Sequence, residues 1–267
     1  MGKKRADVLL VERGLAATRS EARRLIEAGR VRANGQVVVK AGTPLRPDAA
    51  LEVLPGPRFV SRGGEKLAAA LQAFLLPVEG AVAADVGAST GGFTDCLLQH
   101  GARRVYAIDV GRGQLHWKLR QDPRVVVMEG VNARYITALP EPVRLITTDV
   151  AFISLTKLWP VFPGWLEPTG GEGIALVKPQ FEVGRKAAAR GKGVVRDPAL
   201  WRAALEKVLQ AAYAQGYAAL GLIPSPILGP KGNVEFLLHW RYPGAERLNA
   251  TQIERVLQAA RALREKS

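Results

Sequence analysis

The sequence predicts an α/β protein in two parts: an open α/β sheet with helices, preceded by a small α+β module. Three observations predict this. Past residue 64, helical patterns alternate with short apolar strands, the signature of a parallel sheet. Within that region the apolar run Ala81–Val86 enters a Gly-rich loop, Gly87-Ala88-Ser89-Thr90-Gly91-Gly92, which enters an amphipathic helix. The first 57 residues read instead as helix, helix and hairpin, and they are densely basic.

The module comes first. Val8, Leu9 and Val11 line a short helix that Gly14 can end. Thr18-Arg19-Ser20-Glu21 is a capping box, in which Thr18 caps the N–H of Glu21 and Glu21 reaches back. Ala22, Leu25 and Ile26 then share a helical face, and Gly29 suits the position after the helix. Val31 to Val37 reads as a hairpin, with Asn34-Gly35 fitting a type I′ turn. Pro55-Gly56-Pro57 breaks regular structure, so residues 1–57 form the module and 58–64 a linker, with Phe59 packing at the junction. The large domain, 65–267, opens with a helix over Glu65–Phe74. Strands follow at Ala81–Val86, Arg104–Ile108, Val125–Met128, Val143–Thr148 and Gly173–Val177. Helices are expected at Phe93–His100, Pro198–Gln215 and Ala250–Arg264. Tyr217–Ile223 and Val234–Trp240 form a last strand pair.

The chain has 267 residues, 48% of them hydrophobic, enough for a sizeable core. Its formal charge is +14, which points to a polyanion, nucleic acid first. The charge is clustered: residues 1–62 hold 13 Lys and Arg against 6 Asp and Glu. A second run, Arg185 to Arg196, has five basic residues and no acid. It reads as a basic loop over the cleft or as a solvated loop. Cys96 is the only cysteine and there are three scattered His, so neither disulfides nor a metal centre are expected. The N-terminus lacks the apolar run of a signal peptide, and no stretch reaches the roughly 18–20 apolar residues of a membrane span. A cytoplasmic protein without membrane partners is the expectation.

The loop spacing is G-x-S-x-G-G, neither the dinucleotide G-x-G-x-x-G nor a phosphate-binding G-x-x-x-x-G-K-[ST]. No Lys follows to meet a phosphate. An adenosine compound without a phosphate chain fits, and S-adenosylmethionine leads. Asp109 stands 22 residues after Gly87, where an acid accepts ribose hydroxyls in nicotinamide and S-adenosylmethionine enzymes alike. Asn132 meets the adenine edge or simply forms a turn. The candidate ligand set is Asp85, Gly87, Ser89, Gly91, Gly92, Phe93, Asp109 and Asn132. Asp149 and Lys178 end adjacent strands and point into one cleft. Glu235 starts the last strand, and Lys66 lies on the first large-domain helix.

Residues 5–54 resemble the S4 RNA-binding domain, on Asp7, Leu10, Gly14, Arg19, Ala22, Ile26 and the Asn34-Gly35 turn. The resemblance implies that Arg19, Arg23, Arg24, Arg30 and Arg32 contact structured RNA, positioning more than reading it. Lys66, Asp149, Lys178 and Glu235, with the Gly87–Phe93 loop, resemble the Lys-Asp-Lys-Glu set of FtsJ-like ribose 2′-O-methyltransferases. Ser61-Arg62-Gly63-Gly64-Glu65-Lys66-Leu67, Asp149 to Leu155, and Val177-Lys178-Pro179-Gln180-Phe181-Glu182 look closer still to the TlyA family, which joins both domains. Ala151 departs from the Ser of many members. The resemblance implies a Rossmann-like S-adenosylmethionine methyltransferase domain that 2′-O-methylates cytidine in ribosomal RNA. In it Lys178 is base or orienter, Lys66 and Asp149 steer its charge, and Glu235 holds the lysines. Arg62, Arg185 and Lys186 complete the expected RNA contacts, with ribosomal RNA or ribosomal subunits as partner. Alternatives are a non-catalytic RNA-binding or assembly factor, a nicotinamide oxidoreductase, and a membrane-active protein matching the haemolysin label of some members.

Overall fold

The computed structural model describes residues 2–184 and 191–265. The chain divides into two compact units, residues 1–58 and 59–267.

The first unit runs β1 (Lys4–Arg5), α1 (Ala6–Glu12), α2 (Arg19–Glu27), β2 (Val31–Ala33), β3 (Gln36–Val37), β4 (Pro44–Leu45) and β5 (Leu51–Val53). Thr18 Oγ1 accepts from Glu21 N at 3.1 Å, and the Glu21 carboxylate accepts from Ala17 N at 2.8 Å, so the capping box forms one residue wider than expected. Asn34 and Gly35 both take positive φ, 51° and 81°, as a type I′ turn requires. β2 pairs antiparallel with β3 and also with β5, a third strand not foreseen. α1 buries Ala6, Leu9 and Leu10, whereas Val8 and Val11 are only half-buried. The helix starts at Ala6, and the three-to-four spacing from there selects that face. Leu10, Ala22, Ile26, Val31 and Val38 form this unit's own core.

The second unit continues with α3 (Gly63–Phe74), β6 (Val82–Val86), α4 (Gly92–Gln99), β7 (Arg104–Asp109), α5 (Trp117–Arg120), β8 (Val125–Glu129), β9 (Leu145–Thr148), β10 (Gly171–Val177), α6 (Pro179–Glu182), α7 (Pro198–Tyr213), β11 (Ala218–Pro224), β12 (Phe236–Tyr242) and α8 (Ala250–Glu265). Its strands form one sheet in the order β11-β12-β10-β9-β6-β7-β8. β12 is antiparallel to both neighbours, and the remaining pairs are parallel. Val143, expected in β9, makes only an isolated bridge to Leu166. The short helices α5 and α6 were not foreseen. Residues 59–64, expected within a linker, are packed into this unit: Phe59 is buried beside Leu67 and Phe93, and Val60 N donates to the Asp95 carboxylate at 2.8 Å.

Helices cover both faces of the sheet. On one, α7 and α8 bring Val208, Leu209 and Leu257 against Val86, Ala175 and Trp240. Four tryptophans concentrate there, with Trp159 and Trp240 fully buried and their rings 5.8 Å apart. Truncating either to Ala costs about 3–5 kcal/mol. On the other face, α3 and α4 bring Leu67, Leu71 and Leu97 against Ala83, Ile174 and Leu237. The chain fills β6, β7 and β8 outward, then returns to the opposite side of β6 with β9. That reversal opens a crevice beyond the carboxyl ends of β6 and β9, where ligands bind in such sheets.

Candidate active site

Strand register assembles the site. Val86 pairs with Thr148, Thr148 with Ala175, and Val177 with Phe236. The residue just beyond each of the first two strands, Gly87 and Asp149, therefore lies at the switch point. Lys178 follows β10, and Glu235 precedes antiparallel β12, so the two lie side by side. The period-two alternation of the strands puts Asp85, Thr147, Leu176 and Leu237 on the α3 face. α3 supplies Lys66 from that side.

The four polar residues form two pairs. Lys66 Nζ donates to Glu235 Oε2 at 2.5 Å, and both side chains are buried. Gly229 backs Glu235 so closely that a Cβ there would fall 2.1 Å from Oε1. Lys178 Nζ lies 2.5 Å from Asp149 Oδ1, at the cleft. That buried Oδ1 accepts no aligned hydrogen bond among the described residues. The contact is thus a close ion pair, and the Asp149 side chain keeps 23% of its surface exposed at the cleft. The expectation that Glu235 holds both lysines is not met by these contacts: it pairs with Lys66, and Lys178 pairs with Asp149.

A cleft of about 800 Å³ lies over this edge. Gly87, Ser89, Gly92, Phe93, Asp109 and Asn132 line it, as do Lys66, Asp149, Lys178 and Arg62. Gly87 has φ +84°, and a Cβ would stand 2.5 Å from Asp149 O, so only glycine fits between the two strand ends. Asp109 accepts from Ser89 N at 2.8 Å and Gly111 N at 2.7 Å. An ionised carboxylate has about four acceptor positions, which leaves room for ribose hydroxyls. Asn132 Oδ1 accepts from Arg134 N at 3.1 Å, capping a helical turn, so it forms the turn while lining the cleft.

Two expected ligand residues stand back from the cleft. Gly91 packs beneath Leu115 and Leu119. Asp85 is fully buried under the loop, where its carboxylate accepts from Thr94 Oγ1 at 2.6 Å and Thr147 Oγ1 at 3.2 Å. Burial pushes its pKa up to about 7, against the pull of those hydroxyls and with a further push from Asp149. It acts as a strut for the loop rather than as a ligand.

Several site-building residues went unforeseen. Glu129, at the end of β8, accepts from the backbone N–H groups of Gly113, Gln114 and Leu115 at 2.8, 3.1 and 3.2 Å, and it pairs with Arg120. The Arg120 bond comes first among the causes that hold its pKa down at about 2. This fixes the loop that brings Gln114 into the cleft. Buried Glu182 accepts from Ser154 Oγ at 2.6 Å and Leu155 N at 2.9 Å, tying the segment after Asp149 to α6 after Lys178. Phe152, between them, is 91% exposed with φ +64°, its ring 5.2 Å from that of Phe181. Buried Asn233 accepts from Val195 N at 3.0 Å and donates to Gly193 O at 2.9 Å, which anchors the segment before α7 to the Glu235 turn. These links join positions far apart in the chain, and no local pattern announces them.

Of the expected RNA contacts, Arg19, Arg23, Arg24, Arg32 and Arg62 are exposed. Arg30 is half-buried and spends its Nε on Leu54 O at 2.9 Å. Arg185 and Lys186 lie outside the described residues. Among the described residues, no cluster of His, Cys, Asp or Glu could hold a metal, and no helix is long and apolar enough to cross a membrane.

Comparison with known proteins agrees with this architecture. Residues 59–242 match the FtsJ-like methyltransferase family and residues 4–51 the S4 domain. The chain is 44% identical to the 16S/23S rRNA (cytidine-2′-O)-methyltransferase TlyA of Mycobacterium tuberculosis, over 96% of each chain. It is 40% identical to Hemolysin A of Brachyspira hyodysenteriae, over 88% of this chain and 99% of that one. A solved structure of a provisionally named hemolysin from Streptococcus thermophilus superposes with a TM-score of 0.76 at 42% identity, covering 100% of this chain and 98% of that one. The chain belongs to the FtsJ-like methyltransferases, in the TlyA group that carries an S4 domain ahead of the methyltransferase domain.

Proposed function

We propose that the chain methylates the ribose 2′-hydroxyl of cytidine in ribosomal RNA, with S-adenosylmethionine as donor. The observation that carries this reading is the Lys178–Asp149 ion pair, 2.5 Å apart and lining the cleft with both side chains partly exposed. A ribose hydroxyl is both donor and acceptor, and this pair offers one of each.

The cleft suits the donor. The Asp109 carboxylate accepts from the ribose diol, and Val110, Val131 and Ala133 give apolar wall for the base. When bound, the donor supplies a methyl group already activated by a sulfonium. The chain's task is then to aim a weak nucleophile. Lys178 Nζ donates to the 2′-oxygen, and Asp149 accepts from the hydroxyl hydrogen. As the oxygen–carbon bond forms and the carbon–sulfur bond breaks, that proton passes to the pair and on to water. Lys66 and Glu235 act behind them, fixing α3 to the turn before β12. Arg62 at the cleft, with Arg19, Arg23, Arg24 and Arg32 on the first unit, engages RNA phosphates.

The test incubates each purified ribosomal subunit with labelled donor and maps 2′-O-methyl groups by resistance to alkaline cleavage. Label at cytidine 2′-oxygens is expected. Lys178→Ala should lower the rate by at least about 100-fold while leaving donor binding intact. Undiminished methylation by that variant removes Lys178 from the mechanism, and label on bases alone removes the 2′-oxygen reading.

A further inference from the structure

Three arginines of the first unit converge on one carboxylate. Asp7, in the first turn of α1, has a fully buried side chain. Arg5 grips it with both prongs, Nε to Oδ1 at 3.0 Å and Nη2 to Oδ2 at 3.1 Å. Arg19 Nη2 and Arg23 Nε, one turn apart on α2, donate to Oδ2 at 3.2 and 3.4 Å. Val8 N completes the shell at 3.0 Å from Oδ1. The three arginine side chains are themselves 50–53% exposed. The carboxylate is therefore shut away from solvent, while the guanidinium groups it gathers face outward. Each guanidinium has five N–H donors, and Asp7 takes two from Arg5 and one each from the others. Most of the donors of each guanidinium remain free for phosphate oxygens.

We propose that Asp7 is the positioning residue of an RNA phosphate site made by Arg5, Arg19 and Arg23. This rests on the RNA reading above. Three like charges this close repel, and arginine side chains are long and mobile. A buried counter-charge holds them in one arrangement before RNA arrives, which lowers the ordering cost on binding. The hydrogen bonds from Arg5, ahead of those from Arg19, hold the Asp7 pKa far below the ordinary carboxylate range, so the counter-charge persists at any working pH.

The sign of the effect makes the inference testable. An acidic residue beside a phosphate site ordinarily weakens RNA binding, so its neutralisation should tighten binding and steepen the salt dependence. If Asp7 positions the arginines, the reverse holds. The full chain and its Asp7→Asn variant are titrated with deproteinised ribosomal RNA over a range of KCl concentrations. The variant is expected to bind about 3- to 10-fold more weakly at 0.1 M KCl. Its slope of log K against log salt should flatten by about 1, since each lost phosphate contact removes about 0.7–0.9. Equal or tighter binding, or a steeper slope, overturns the proposal. Arg5→Lys keeps the charge, loses the two-pronged grip and leaves Asp7 in place. It should weaken binding at least about 3-fold, and unchanged binding also overturns the proposal. In an Arg5→Ala/Arg19→Ala/Arg23→Ala background, Asp7→Asn should change the remaining binding less than about twofold, whereas an undiminished effect shows that Asp7 does not act through those arginines and overturns the proposal. Failure of the unaltered chain to bind RNA overturns the RNA reading itself.

Discussion

Phe152 combines two costly features. Its φ is +64°, where a residue with a Cβ is strained by about 1–3 kcal/mol, and its ring is 91% exposed. Neither feature serves the core. The ring lines the cleft three residues past Asp149 and beside Phe181. Stacking of a base on an exposed aromatic ring is worth about 1–3 kcal/mol, and the proposed RNA substrate would bring bases to this edge of the cleft. Phe152→Gly is therefore expected to raise stability by about 1 kcal/mol in thermal denaturation while raising KM for ribosomal RNA several-fold. A ring with a purely structural role would give the opposite pair of results, lower stability and an unchanged KM. Single residues also mark the limit of reading by spacing. Asp85 and Gly87 are two apart in the chain, yet the first lies beneath the loop against Thr94 and Thr147 while the second meets the cleft. Gly87 stands just past the end of β6 with φ +84°, where the chain leaves the pleat that holds Asp85 on the α3 face, and a motif does not carry that information.

Among the elements, the carboxyl edges of β9 and β10 set the chemistry, and α6 holds them in step. The staple is Glu182, which receives Ser154 and Leu155 from one side and Lys207 Nζ of α7, at 3.2 Å, from the other. Glu182→Gln keeps the shape and loses the charge. We expect about 1–3 kcal/mol lower stability from the weakened bonds, and a kcat several-fold lower with donor affinity unchanged. Equal kcat values for variant and parent would show that the Asp149–Lys178 spacing does not depend on this staple. The strands were legible because each is a short apolar run ending at a polar residue, and Asp109, Asp149 and Lys178 stand at such ends. The capping box around Thr18 and the Asn34-Gly35 turn were legible because their chemistry is local. α5, α6 and β5 were not, since each has three or four residues and takes its shape from tertiary contacts. The pairing of Lys66 with Glu235 spans 169 positions; the resemblance pointed to it, but no local pattern did, since it needs α3 packed on the strand face beside the start of β12.

At the scale of the whole molecule, each unit has its own apolar core, and the cores differ in size and in composition. A unit of 58 residues buries a smaller share of its surface than one more than three times as long, and is the more marginal of the two. The basic charge follows the same division, with half of the net +14 in residues 1–62. All five tryptophans fall in the second unit: Trp159, Trp165, Trp201 and Trp240 are buried on the α7–α8 face, and Trp117 on α5 is 65% exposed. Tryptophan emission is therefore blind to the RNA-binding unit. In urea, circular dichroism should begin to fall before the emission maximum shifts, because only the former registers loss of α1 and α2. Coincident curves would instead mean that the units unfold together. The uneven placement also divides the light within the second unit. A soluble quencher such as acrylamide reaches Trp117 and not the buried four. Trp117 stands two residues past the segment that Glu129 clamps beside the cleft, so its quenching is expected to change as donor is titrated in, and a constant quenching at saturating donor would show that the segment does not respond.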